Sequence, residues 1–235
     1  MSVVLPYKIG VVGIGKMGSC ITAALPQAEK LVLVDNRPDE RMERLARSKG
    51  AVLASDIGQL HDMDVIILAL DPALSVELVR QLQCGNPAVR VVNIATFIDK
   101  QAFEAALQGN MIPYYLKIIG EAGEIRNGNR PLLVVQQEGC DEEEKALMSA
   151  LFGPFGDLIY SSDPIYEQLN ALGAKQIVQS ILRLEQALKD KGLPPVVIEK
   201  VVGNVMKGTC ATYPWAEDDI FIRRIKSDLQ AAVAP

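Results

Sequence analysis

The chain has 235 residues, of which 49% are hydrophobic and 23% charged, a globular composition that suits one large domain or two modest ones. Its formal net charge of -5 argues against a nucleic acid or an anionic membrane as the main partner, because both require a basic face. With four widely separated cysteines and one histidine, the sequence predicts neither a metal site nor a disulfide framework.

Apolar runs in the sequence stay far below the roughly 20 residues that a membrane span requires. The residues before the first predicted strand are too few to hold the regions of a signal peptide. Reduced, unpaired cysteines fit the same location. We therefore expect a cytoplasmic protein.

The first part of the chain alternates short β-branched runs with amphipathic helical stretches, which is typical of a parallel sheet with crossover helices. The predicted strands cover residues 8–12, 31–34, 51–53, 65–70, 90–95, 112–119, 132–136 and 158–160. The predicted helices between them cover residues 17–24, 39–49, 73–82, 99–107 and 142–152.

After residue 162 the pattern changes to helices alone, predicted over 164–191, 195–212 and 217–232. We therefore expect two domains, 1–162 and 163–235. A core built from so few residues is thin, and the long apolar stripe of the first helix needs a partner surface. Homodimerisation through these helices is favoured, and packing on the chain's own first domain is the alternative.

A glycine-rich loop, GIGKMG, follows the first predicted strand and opens the first predicted helix. Gly13 permits the tight turn, Gly15 lets a pyrophosphate approach the backbone, and Gly18 allows the helix to pack closely on the strand. The N–H groups and dipole of the helix start favour phosphate charge. This context predicts a dinucleotide site whose loop residues are Gly13, Gly15, Lys16, Met17 and Gly18.

The second predicted strand ends in Asp35, Asn36 and Arg37. An acidic residue here usually binds the adenosine ribose and indicates NAD, whereas an arginine just beyond commonly pairs with the 2′-phosphate of NADP. Both signals are present. We favour NADP because Asn36 and Arg37 together offer donors and Asp35 can turn away at the strand end, and NAD stays open.

A second set of candidates lies where the fifth predicted strand ends. The carboxyl ends of the strands form the ligand-binding edge of an open α/β sheet. We therefore expect Asn93, Ala95 and Thr96 to contact cofactor or substrate there.

The segment IGVVGIGKMG, residues 9–18, resembles the opening of the 6-phosphogluconate dehydrogenase-like superfamily, which includes β-hydroxyacid dehydrogenases and pyrroline-5-carboxylate reductases. Residues 64–72, 112–123 and 151–173 are similar to segments of the reductases. The resemblance implies an α/β fold, an N-terminal Rossmann domain followed by a small all-α dimerisation domain. It also implies NAD(P)-dependent oxidoreductase activity, with Leu70 and Pro72 on the nicotinamide side.

The chain departs from the reductases in its substrate-binding half. Where they carry a serine- and glycine-rich run ending in proline, this chain has GAKQ at residues 173–176. Their asparagine–threonine pair is replaced by Tyr114 and Tyr115, and their glycine–threonine segment has no counterpart after Trp215. Pyrroline-5-carboxylate is therefore not assigned as the substrate.

Two residues are predicted to carry chemistry. Lys175 lies on the helix that carries a catalytic lysine in β-hydroxyacid dehydrogenases, with Gln179 one turn further on the same face. Tyr115 could donate a phenolic proton, as could Tyr114. Their structural alternatives are a surface lysine and ordinary packing.

These observations predict an NADP-dependent oxidoreductase that reduces a small imine or carbonyl substrate. One alternative is a β-hydroxyacid dehydrogenase that uses Lys175. The other is a non-catalytic NAD(P)-binding sensor or partner module.

Overall fold

The computed structural model describes residues 4–136 and 140–233. The chain divides into two compact units, the first ending at Asn170 and the second beginning at Ala171. This boundary lies beyond the predicted one at residue 162. The side-chain amide of Asn170 donates to the carbonyl of Ile118 at 2.6 Å, which ties the residues after 162 to the sheet of the first unit.

One sheet organises the first unit, and the described residues contribute eight strands to it. In chain order the strands are β1 Leu5–Val12, β2 Ala28–Val34, β3 Val52–Ala54, β4 Val65–Leu68, β5 Val89–Asn93, β6 Met111–Ile119, β7 Leu132–Gln136 and β8 Asp157–Tyr160. Their spatial order is β3-β2-β1-β4-β5-β6-β7-β8. The direction of winding reverses between β1 and β4, and such a switch point opens a crevice at the carboxyl ends of the strands.

Neighbouring strands of the sheet run parallel except for β6 and β7, which are antiparallel. The connection between them turns back at once, through a short helix over Ala122–Arg126 and a turn at Gly128 with a φ of +99°. An apolar strand buried on both faces has the same pattern in either direction, so the sequence did not indicate the reversal.

Helices cover both faces of the sheet. They are α1 Lys16–Ala24, α2 Glu40–Lys49, α3 Pro72–Gln81, α4 Lys100–Ala106, α5 Ala122–Arg126 and α6 Glu142–Phe152. The starts of α2, α4 and α6 are capped by the carboxylates of Asp39, Asp99 and Asp141, which accept from backbone N–H groups of the first turn. Two apolar cores result, one against each face of the sheet.

The second unit is helical, as predicted. It contains α7 Leu169–Asp190 from Ala171 onward, α8 Pro195–Lys200, a π-helical turn over Val201–Met206, α9 Lys207–Ala211 and α10 Ile220–Val233. The first predicted helix is interrupted, since Pro164–Glu167 forms a separate 3₁₀ turn before α7. In residues 4–136 and 140–233, no helix combines the length and the apolar character that crossing a membrane requires.

Candidate functional site

Two adjoining clefts lie at the switch point of the sheet, with volumes of about 250 Å³ and 480 Å³. Their linings share Gly13, Asp35, Leu70 and Leu74, so they form one continuous groove. The first cleft is further lined by Val12, Val34, Asn36, Ser55, Ile57, Glu77, Leu78 and Gln81. The second is further lined by Gly15, Met17, Ala69, Asp71, Ile94, Ala95, Thr96, Ile118, Gly120 and Asn170.

The three glycines of the loop after β1 meet different surroundings. Gly13 has a φ of +85°, and a Cβ there would lie 2.5 Å from the carbonyl oxygen of Ala69. A Cβ on Gly18 would lie 1.9 Å from the carbonyl oxygen of Gly13. Gly15 has no atom within 4 Å of its Cβ position, although it lines the second cleft. Backbone atoms of the protein therefore leave no room for a Cβ at Gly13 and Gly18, whereas Gly15 keeps space open for a ligand.

The start of α1 offers unpaired backbone donors beside this space. Gly15 is its N-cap and supplies no side-chain hydrogen bond, in contrast to the aspartate caps of α2, α4 and α6. The first N–H groups of a helix have no intrahelical acceptor, and the helix dipole favours an anion there. The groove, the open Gly15 position and the uncapped helix together fit the pyrophosphate of a dinucleotide.

Asp35 faces the glycine loop and does not turn away from the site. Its carboxylate accepts hydrogen bonds from the backbone N–H of Ile14 at 2.8 Å and of Arg37 at 3.0 Å. The reasoning that favoured NADP on the ground of a displaced Asp35 is therefore wrong. Both carboxylate oxygens already accept hydrogen bonds, which fixes the half-buried Asp35 in the lining that the two clefts share.

Polar side chains line part of the first cleft, and two arginines lie near the strand end outside its lining. Asn36 and Ser55 line it, and Arg37 follows Asn36 on the exposed side of the strand end. Arg41, which the sequence analysis did not select, donates from its guanidinium to the carbonyl of Ile14 at 3.0 Å. Its position as the second residue of α2 gave no sequence signal beyond a charged helix face.

Of the remaining predicted cofactor residues, some line the clefts and others do not. Leu70 lines both clefts, and Met17 and Ala95 line the second. Lys16 and Pro72 line neither cleft. Pro72 instead begins α3, where the missing N–H of proline is tolerated.

Asn93 acts behind the groove rather than in it, which corrects its predicted contact role. Its side chain is 1% exposed, and its Oδ1 accepts from the backbone N–H of Ala95 at 2.7 Å. The carbonyl of Ala95 in turn accepts a hydrogen bond from the ammonium of Lys117 at 3.0 Å. Asn93 and Lys117 therefore hold the segment that lines the second cleft.

Lys117 is a buried residue that the sequence analysis missed. It lies on β6 and is 5% exposed. Burial lowers the pKa of its ammonium, Glu167 opposes this shift, and Lys100 adds to it. A lysine inside an apolar strand is a signal that sequence reasoning could have used, because such a charge is rarely buried without a role.

The structure does not place Tyr115 in the groove, so its predicted catalytic role is not supported. Its ring is 4% exposed and its hydroxyl donates to Glu104 at 2.8 Å. Burial and this hydrogen bond raise its pKa. Tyr114 is likewise buried, and its hydroxyl donates to Glu144, which also binds Arg90. Both tyrosines lie in the middle of β6, and their hydrogen bonds connect the sheet to α6 and α4.

Lys175 lies on α7 in the second unit, and its side chain is exposed. Gln179, one turn later, is half-buried. The catalytic role of Lys175 stays a prediction.

Several lining residues were not predicted. Leu74, Leu78 and Gln81 present one face of α3 to the first cleft. Their spacing is that of a helical stripe, which the sequence alone could not distinguish from a face packed on the core. Gly120 and Asn170 of the second cleft carried no recognisable signal.

Comparison with known proteins gives one family match and several matches to solved structures. Residues 8–96 match a family model described as NADP oxidoreductase coenzyme F420-dependent. No curated protein matches the chain.

Among solved structures, pyrroline-5-carboxylate reductase from Streptococcus pyogenes is 18% identical with a TM-score of 0.64, over 98% of this chain and 86% of that one. The Plasmodium falciparum pyrroline carboxylate reductase, solved with NADP bound, is 13% identical with a TM-score of 0.63, over 97% and 85%. A reductive aminase from Aspergillus terreus, in complex with NADPH and ethyl-5-oxohexanoate, is 15% identical with a TM-score of 0.62, over 95% and 78%.

The chain has the fold of the pyrroline-5-carboxylate reductases. This is a Rossmann-type fold with a helical C-terminal region. The expected fold class is confirmed.

Proposed function

We propose that the chain is an NADP-dependent reductase of a small imine or carbonyl compound. The observation that carries the proposal is the continuous groove at the switch point, with Asn36 and Ser55 at one end and Thr96 and Asn170 at the other. The uncapped start of α1 lies between these ends. A dinucleotide would occupy its length, with its adenosine in the first cleft and its nicotinamide in the second.

The chain's own residues would bind the cofactor and orient the substrate. When bound, the nicotinamide would supply the hydride. In the second cleft, the Nδ2 of Asn170 is engaged by the Ile118 carbonyl, which leaves its Oδ1 as an acceptor for a substrate N–H or O–H. The exposed Thr96 hydroxyl can donate or accept beside it. The Thr96 hydroxyl, which is exposed to water, would take over the proton-donating role predicted for Tyr115, and Asn170 would orient the substrate.

Basic groups near the adenosine end support NADP. The carboxylate of Asp35 is compensated by two backbone donors, and Arg37 and Arg41 lie beside it. The NADP(H) complexes of the Plasmodium and Aspergillus enzymes show that related folds accept the phosphorylated cofactor.

Fluorescence titration with NADPH and NADH tests the cofactor. We expect NADPH to bind more tightly, and Arg37→Ser to weaken NADPH about tenfold while leaving NADH unchanged, because a charged hydrogen bond to the 2′-phosphate is lost. The exposed Arg47, on the last turn of α2, supplies the control variant Arg47→Ser. Tighter NADH binding would contradict the NADP assignment, and failure of both cofactors to bind would contradict the whole proposal.

Turnover is then measured as NADPH consumption with a panel of cyclic imines and ketones, and as NADP reduction with 3-hydroxy acids. Reduction of an imine or carbonyl compound is the expected result. Activity on 3-hydroxy acids instead would favour the β-hydroxyacid dehydrogenase. Cofactor binding without turnover on any panel would favour the non-catalytic module.

We also propose that the protein is a homodimer through its C-terminal helices. Leu172, Val178 and Leu182 of α7 are 52%, 54% and 59% exposed, and Leu229 of α10 is 62% exposed. Apolar surface of this kind is stabilised when a second copy removes it from water. Light scattering should give twice the chain mass, and Leu182→Glu should shift the protein to monomer. A monomeric wild type would contradict the proposal.

A further inference from the structure

The backbone at Phe97 adopts a conformation that its side chain disfavours. Among the residues that the structure describes, Phe97 is the one non-glycine residue with a positive φ, at +62°. In this left-handed region the Cβ crowds the following carbonyl, so a bulky side chain there is a genuine outlier. Such strain persists where contacts on both sides hold the backbone in place, and strained residues are frequent at ligand sites.

The surroundings of Phe97 do fix it from both sides. On its N-terminal side, the peptide groups of Ala95 are held by the buried side chains of Asn93 and Lys117. On its C-terminal side, Ile98 is buried and Asp99 caps α4. The loop therefore cannot relax around Phe97 without breaking one of these anchors.

The strain is not offset by burial of the ring. Phe97 is 63% exposed, so its side chain contributes little to either core. Its neighbours Ala95 and Thr96 line the second cleft, where the proposed function places the substrate. Phe97 itself lines neither cleft, but its backbone is anchored directly beside the second cleft and its ring is exposed to water, where it would contact the part of a substrate that extends out of that cleft.

We propose that Phe97 is a specificity-determining residue that packs against an apolar, planar part of a substrate that extends out of the second cleft. This inference rests on the proposed function and adds a substrate class to it, namely cyclic imines or ketones that carry an aryl or fused ring. Small aliphatic ring compounds would reach the nicotinamide without contacting Phe97.

Two variants separate the ring from the strained backbone. Phe97→Ala removes the ring and keeps a Cβ at the positive φ, whereas Phe97→Gly removes both. Phe97→Tyr restores the ring. Val52→Ala is the matched control, because Val52 is 50% exposed in the same unit but lies on β3 at the edge of the sheet, four strands away from β5.

The measurement is the ratio of KM values for an aryl-substituted and an unsubstituted cyclic imine, together with calorimetric binding of both to the NADP-saturated protein. We expect Phe97→Ala and Phe97→Gly to raise KM and Kd for the aryl compound about ten- to a hundredfold, because the ring's apolar contact is lost. The unsubstituted compound, NADPH binding, Phe97→Tyr and Val52→Ala should stay near wild type. Phe97→Gly should also unfold at a higher urea concentration than Phe97→Ala.

An unchanged KM and Kd ratio in both variants would overturn the inference, as would a wild type that binds the cofactor but prefers neither compound. A change in oligomeric state in both variants would assign Phe97 to an interface between copies and would overturn it too. Failure of the proposed function is distinguished from these outcomes, because it appears in the wild type as loss of NADPH binding.

Discussion

Gly15→Ala is expected to weaken NADPH binding by about a hundredfold or more, with little change in the stability of the unliganded protein. Gly15 has an ordinary φ of -69° and no atom within 4 Å of its Cβ position, so the protein accommodates alanine. The added methyl group instead fills the space in the second cleft where a pyrophosphate would approach α1. Fluorescence titration measures the affinity, and urea unfolding should place the free energy within about 0.5 kcal/mol of wild type.

Two further glycines serve as controls. Gly18→Ala should destabilise the protein by about 3 kcal/mol or more, because its Cβ would meet the Gly13 carbonyl, which belongs to the backbone and cannot swing aside. Gly208→Ala, on α9 with open space around it, should change neither property by much. If Gly15→Ala binds NADPH as wild type does, the assignment of the pyrophosphate to this loop is wrong.

The elements of the first unit that the sequence predicted are those that depend on residues close together in the chain. β4 is apolar at every position and buried at every position. For α2, the aspartate before it and the glycine after it were sufficient, since Asp39 caps the Met42 N–H and Gly50 takes a left-handed φ of +63°. The glycine loop was predictable for the same reason, because Gly13 and Gly18 are required by backbone atoms close by.

What the sequence did not indicate depends on contacts between distant residues. Tyr115 lies inside the predicted strand 112–119, but its hydrogen-bond partner is Glu104 on α4, which no local pattern indicates. The position of Asp35 depends on the N–H of Ile14, which only the folded sheet brings near. The strain at Phe97 depends on anchors from β5 and β6, so no local pattern reveals it.

Lys117→Met is expected to separate stability from activity. The ammonium of Lys117 is buried, and its one hydrogen bond in the described part of the chain goes to the Ala95 carbonyl. Methionine has a similar length without the charge. The variant therefore lacks the hydrogen bond that holds the Ala95 segment, and the free-energy cost of burying the ammonium is removed as well. We expect kcat/KM to fall on the order of tenfold, because the wall of the second cleft is displaced.

The stability difference between this variant and wild type should depend on pH. Burial lowers the pKa of Lys117 from its ordinary value of 10.5, Glu167 acts against the shift and Lys100 adds to it. The unfolded chain therefore holds more protons than the folded chain between the lowered pKa and 10.5, and wild-type stability rises with pH across that window. Lys117→Met lacks this gain. If the variant is more stable than wild type at pH 7, its advantage should therefore shrink as the pH approaches 10. The loss should be about 1.4 kcal/mol for each unit by which burial lowers the pKa of Lys117. Urea unfolding of both proteins between pH 7 and pH 10 measures the change, with the exposed Lys191→Met as the control; parallel curves would show that Lys117 is charged at no cost in its buried position.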